Sequence, residues 1–367
     1  MAGTPDKRGQ GRNTRVAFGF LFSFIGLAVL FLCFFSIRLL REEAAKGLER
    51  SIPLPEQRIG LDSSAPPPPE VLKHADGLEN KAYRVRTDAN GFLLPSGEHA
   101  HPDLTIVFLG GSTTECRFMP EQQRFPFLVG RNLESSLALR VNSHNGGNAG
   151  NTSLHNLLLL QTKVLPLHPR FVVLMENLTD LMFLAQHGEY HSPSAMRALV
   201  RTETRAKPMD WLISLVAGKT VAGQKAHTQT DTAVPPSPQA FSNQFRNNLE
   251  HFIFLCRQNG STPVLMTQAN RLVEPLAPNL AAQLQPVYES RRIASAQFLV
   301  IYAALNETMR QVAKERQVLL IDLDRLIPKT AASMYDVVHL NAEGSRLVAE
   351  HVAQALAQDI AKQGQRP

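Results

Sequence analysis

From Leu104 onward, short runs of β-favouring residues alternate with longer amphipathic stretches, and this alternation leaves the chain few architectures. The short runs are LTIVFL at Leu104, FVVLM at Phe171, PVLMT at Pro263 and VLLID at Val318. Between them lie SLHNLLLLQTKVL from Ser153, FRNNLEHFIFLCRQ from Phe245 and a segment from about Ile293 to Gln317, all with helical spacing of apolar residues. Strand and helix in alternation predict an α/β domain with a parallel sheet covered on both faces. In such folds the working residues sit at the carboxyl ends of the strands.

A second feature lies ahead of this domain. Val16 to Ile37 reads VAFGFLFSFIGLAVLFLCFFSI, without a charge, and a helix needs roughly 20 such residues to cross the hydrocarbon core. The run predicts one N-terminal transmembrane helix over 16–37, behind a basic tail over 1–15. A cleaved signal peptide is the competing reading, but its apolar region is about 7–15 residues and ends in a small-residue cleavage site. Here Arg38, Leu39, Leu40 and Arg41 follow instead. Lys7, Arg8, Arg12 and Arg15 before the run are matched by Arg38, Arg41, Lys46 and Arg50 after it, so the positive-inside count is tied. Because the short tail is the more concentrated flank, a cytoplasmic N-terminus and an extracytoplasmic domain, periplasmic in a Gram-negative cell, are favoured.

Residues 38–81 read as a juxtamembrane helix followed by a linker, with Pro66 to Pro69 as an extended spacer. The folded domain is expected over 82–367. Between about 186 and 240 the apolar period fails, which marks an insertion that is either a lid or a surface segment.

The net charge of +6 is scattered along the chain, and no nucleic-acid reader motif accompanies it, so no nucleic-acid partner is expected. There is no CxxC or HExxH and the histidines are dispersed, so neither a metal nor a cofactor is expected. With Cys33 in the apolar run, only Cys116 and Cys256 remain to pair.

Gly110-Gly111-Ser112-Thr113-Thr114-Glu115 follows the first strand directly. Paired glycines permit a tight turn that exposes the Ser112 hydroxyl at the sheet edge, although a serine there can also simply cap the next helix. Near the C-terminus, Asp336 stands three residues before His339, a spacing that fits one turn. There the carboxylate can accept from the imidazole Nδ1–H and leave Nε2 to face a serine hydroxyl. The Gly146–Asn151 loop and the Met175–Asp180 loop also fall at strand ends. The N–H groups of Ser112 and Gly150 and the amide of Asn177 would supply three donors to a developing oxyanion. Gln268, Asn270 and Arg271 are further candidates to line the pocket.

The blocks GGSTTE, NAG, ENLTD and DVVH, in this order along about 250 residues, resemble those of the SGNH hydrolase superfamily, the GDSL-type esterases and lipases. The resemblance is to membrane-anchored GGST-type members, whose lead-in is similar to ANGF at Ala89 to Phe92. It implies a flavodoxin-like three-layer α/β/α sandwich, with Ser112 as nucleophile and Asp336 and His339 as its partners. It also implies an oxyanion hole from Ser112, Gly150 and Asn177. Gly111 stands where the GDS form has aspartate, and Met175 where the third block usually has glycine. Asp180 then supplies that block's acid and would position the loop. The implied activity is hydrolysis or transfer of acyl esters, and the anchored, outward-facing placement makes an acylated carbohydrate of the cell envelope, or another ester, the expected partner. O-acyl transfer to a polysaccharide, or an inactive polysaccharide-binding protein, are the alternatives.

Overall fold

The computed structural model describes residues 22–38, 49–192, 199–203 and 237–364. The chain divides into two units, 1–53 with 200–228, and 54–199 with 229–367.

In the first unit, residues 22–38 are helical and their side chains are almost all exposed. Among the described residues no helix is long and apolar enough to cross a membrane. Residues 16–21 of the expected span lie outside them. Strand β1 (Glu49–Ser51) pairs antiparallel with β7 (Arg201–Glu203). Most of the remaining expected insertion also lies outside the described residues.

The second unit carries the sheet. Strands β4 (Leu104–Gly110), β5 (Val141–Asn145), β6 (Phe171–Met175), β8 (Thr262–Met266) and β9 (Leu319–Ile321) form one sheet in the order β5-β4-β6-β8-β9, all parallel. This is the flavodoxin-like order, whose switch point falls between β4 and β6. Side chains alternate across the sheet as the strand period requires. Ile106, Phe108, Val173 and Met175 join one apolar core, with the helices Phe125–Leu137 and Ala342–Gly364 packed on that face. Val107, Leu109, Val172 and Leu174 join the other, under the helices Ser153–Leu159, Pro238–Gln258 and Ser295–Glu315. Phe108 and Phe125 meet edge to face at 5.6 Å, both fully buried. Each such side chain contributes roughly 1.5–3 kcal/mol of burial free energy.

Residues 54–81 differ from the expected spacer. Strand β2 (Asp62–Ala65) pairs antiparallel with β3 (Tyr83–Arg86), in the same unit as the sheet. The Pro55 carbonyl accepts from Asn148 and Asn151, and Lys163 binds Glu56 at 2.9 Å while lying over the Phe92 ring. Phe92, in the ANGF turn, is fully buried. The helix expected from Phe245 begins earlier, at Pro238 behind an Ser237 cap. Cys116 and Cys256 are both buried and unpaired.

Candidate active site

Strand β4 runs out at Gly110 against the neighbouring strand and the turn that follows. A Cβ on Gly110 would lie 2.2 Å from Thr114 Oγ1 and 2.6 Å from the Met175 carbonyl oxygen, so no other residue fits there. The chain turns into a single helical turn, Ser112–Glu115, and leaves it through Cys116 in the left-handed region at φ 53°. The loop after β5 locks this turn in place. Asn145 Nδ2 donates to the Thr114 carbonyl (3.0 Å), and the Ala149 N–H donates to buried Glu115 (2.7 Å).

His339 reaches Ser112 from the far end of the sequence. Its Nε2 lies 2.7 Å from Ser112 Oγ, and its Nδ1 lies 2.7 Å from Asp336 Oδ2. An ionised carboxylate only accepts, so the imidazole proton sits on Nδ1 and Nε2 is free to accept from the serine hydroxyl. The Asp336–His339 segment is a tight loop closed by the Met334–Leu340 bridge. Asp336 Oδ1 accepts from the N–H groups of Val338 (3.0 Å) and His339 (2.8 Å), which fixes the carboxylate against the ring. The Tyr335 ring stacks on the imidazole at 5.6 Å and 6°.

Burial of Asp336 favours its neutral form, yet the His339 charge and the hydrogen bonds outweigh it and hold the carboxyl below its usual range. Burial likewise favours neutral His339, but Asp336, by charge and hydrogen bond, raises its pKa above 6.5, with a further push from Glu115. The His339 side chain keeps 26% of its surface exposed against 5% for Asp336, so a reactant can meet the imidazole but not the carboxylate.

Among the described residues, neither the Ser112 nor the Gly150 N–H has a hydrogen-bond partner, and Gly150 adopts a φ of 81° that favours glycine. The Asn177 amide is engaged away from Ser112. Its Nδ2 donates to the Tyr302 carbonyl (3.0 Å) and to Asn306 Oδ1 (2.8 Å), inside the domain. The hydroxyl facing the nucleophile turn belongs to Thr179, 3.1 Å from where a Gly111 Cβ would be. The ENLTD block does not say which of its polar side chains packs against the glycine before Ser112, so Thr179 is not legible in the sequence.

Asp180 accepts from the N–H and hydroxyl of Ser153 and from the Tyr190 hydroxyl. It ties the third loop to the helix after the second, and burial pushes its pKa up to about 6. Gln268, Asn270 and Arg271 do not line the pocket. Gln268 Nε2 supports Thr113 Oγ1 from below at 2.9 Å, Asn270 binds Asp324, and Arg271 binds Asp76. Among the described residues no group of three or more histidine, cysteine or acidic side chains is gathered as a metal site.

The GDSL-like Lipase/Acylhydrolase family matches residues 108–347, more than half of the chain, including Ser112, Asp336 and His339. No curated protein matches the chain by sequence. Solved structures with a similar fold include LAE5, an alpha/beta hydrolase from the metagenome of Lake Arreo, Spain, at 17% identity and a TM-score of 0.42, covering 71% of this chain and 97% of that one. The acetyl xylan esterase AlAXEase is 15% identical with a TM-score of 0.40, covering 69% and 99%. A catalytic mutant of Axe2, an acetylxylan esterase from Geobacillus stearothermophilus, is 15% identical with a TM-score of 0.39, covering 69% and 94%.

Proposed function

Since the chain belongs to the GDSL-like lipase/acylhydrolase family, a family of ester hydrolases, we propose that it cleaves O-acyl esters, acetyl esters above all, of a cell-envelope or extracellular glycan through an acyl-serine. The observation that carries this reading is the unbroken relay from Ser112 Oγ to His339 to Asp336, with 2.7 Å at both steps. Ser112 Oγ attacks the ester carbonyl and forms the new C–O bond as its proton passes to His339 Nε2. The charge that grows on the carbonyl oxygen is met by the Ser112 and Gly150 N–H groups. Loss of one such donor typically costs roughly 10²–10³ in rate. The bond to the alkoxy oxygen then breaks, and His339 returns the proton to the leaving alcohol. Water repeats the sequence in reverse and releases the acid.

The same proposal includes a single-pass anchor over 16–37, with the N-terminus cytoplasmic and the catalytic unit outside the cytoplasm. It is supported by the uncharged run and by the exposed apolar side chains of residues 22–38, Phe22 at 71% and Leu30 at 68% among them. Apolar surface that dense has no place in water. The serine chemistry is tested by fluorophosphonate treatment of the protein. An adduct on Ser112 is expected; an unlabelled Ser112 in folded protein would remove the proposal.

A further inference from the structure

Two adjoining spaces lie on the Ser112 side of the domain, and they differ sharply in size. The first holds the nucleophile itself and is lined by Cys116, Met119 and Leu340, with a volume of about 10 Å³. That is room for about one water-sized group. The second is a groove of about 490 Å³, within the range of small-molecule sites. Phe118, Met119 and Tyr335 line both spaces, so the groove begins where the nucleophile pocket ends.

We infer that Phe118 divides the substrate, placing an acetyl-sized acyl group in the pocket beside Ser112 and a carbohydrate alcohol in the groove. This rests on the ester-hydrolysis reading above and goes further in saying which half of the ester is recognised. A pocket this small rejects longer chains by overpacking, which a close-packed wall resists. The groove is not restricted in this way. Phe118 is its accessible aromatic wall, held by the buried Tyr83 ring at 6.1 Å and 64°. Glu79, Lys81 and Glu343 add charge to its lining, and the side-chain amide of Gln123, exposed there, has no hydrogen-bond partner among the described residues. Lys81 and Glu79 pair with each other at 2.6 Å and Glu343 pairs with Arg346, so the groove rim is charged and already satisfied, and the Gln123 amide is the lining group a hydrocarbon chain would leave without a partner. A sugar offers C–H faces to an aromatic ring and hydroxyls to an amide and to charged groups. The groove also opens on the His339 side, through Tyr335 stacked on the imidazole, where the leaving alcohol collects its proton.

The test uses the full chain with p-nitrophenyl acetate, p-nitrophenyl octanoate and a chemically O-acetylated cello-oligosaccharide. Acetate should exceed octanoate at least tenfold in kcat/KM. Phe118→Ala should raise KM for the oligosaccharide about tenfold and lower the ratio of its kcat/KM to that for p-nitrophenyl acetate by a similar factor. Phe118→Tyr should restore that ratio. Fluorophosphonate labelling of each variant reports whether its site is still assembled. Octanoate turned over as fast as acetate, no turnover of the oligosaccharide by the parent protein, or an unchanged ratio in labelled Phe118→Ala would overturn the inference. Failure of the ester-hydrolysis reading looks different: Ser112→Ala would then keep the activity of the parent on every substrate.

Discussion

A serine at the start of a helical turn ordinarily does no more than cap it. What sets Ser112 apart is the company at 2.7 Å, an imidazole whose other nitrogen is held by a buried carboxylate. The base form of His339 is neutral, and Asp336 raises the pH at which that form appears. The rate kcat/KM for a small acetyl ester should therefore rise with pH through a midpoint above 6.5. Asp336→Asn should lower the rate by about 10⁴ and move the midpoint down; an unmoved midpoint would show that Asp336 does not govern the imidazole. The linkage to stability runs the other way. Stabilisation from protonated His339 is complete below its unfolded pKa and is lost as pH rises through the raised folded value. Ser112, Asp336 and His339 were legible in the sequence because their chemistry is tied to spacing and to strand ends. Asn177 was not, since the partners of its amide, Tyr302 and Asn306, come from a distant helix that no local pattern announces.

Among the elements, the C-terminal helix does more than close one face of the sheet. Its first turn carries Gly344, where a Cβ would lie 1.9 Å from the Ser333 carbonyl oxygen, and that same oxygen accepts from the Asn341 N–H. Ser333 and Asn341 flank the loop that presents Asp336 and His339. Gly344→Ala should thus cost about 1–3 kcal/mol, read as a lower Tm, and lower the esterase rate as well. An unchanged Tm would mean that helix and loop are not in contact. The apolar runs at Leu104, Phe171 and Pro263 became central strands because buried parallel strands need continuous apolar sequence. Strand β5 is polar, VNSHN, yet wholly buried. Asn142, Ser143 and Asn145 satisfy themselves on the His99, Pro126 and Thr114 carbonyls, so no hydrophobic signal marks it. The proline run at 66–69 suggested a free spacer, but the pairing of β2 with β3 on either side of it draws that stretch into the domain.

At the scale of the whole molecule, Ser112, Asp336 and His339 lie in one unit and the apolar helix in the other. The proposed anchor predicts that the full chain stays with membranes from expressing cells after alkaline carbonate extraction, and that Leu27→Asp with Leu30→Asp releases it. Parent protein found in the carbonate supernatant would contradict the anchor and leave the serine chemistry untouched. That chemistry has a more direct test on the same full-length protein: mass spectrometry after fluorophosphonate treatment, with Ser112→Ala and His339→Ala alongside. One adduct located on Ser112, absent from Ser112→Ala and lost or greatly slowed in His339→Ala, is expected. An adduct that persists in Ser112→Ala, or forms as fast without His339, would contradict an activated serine at this site.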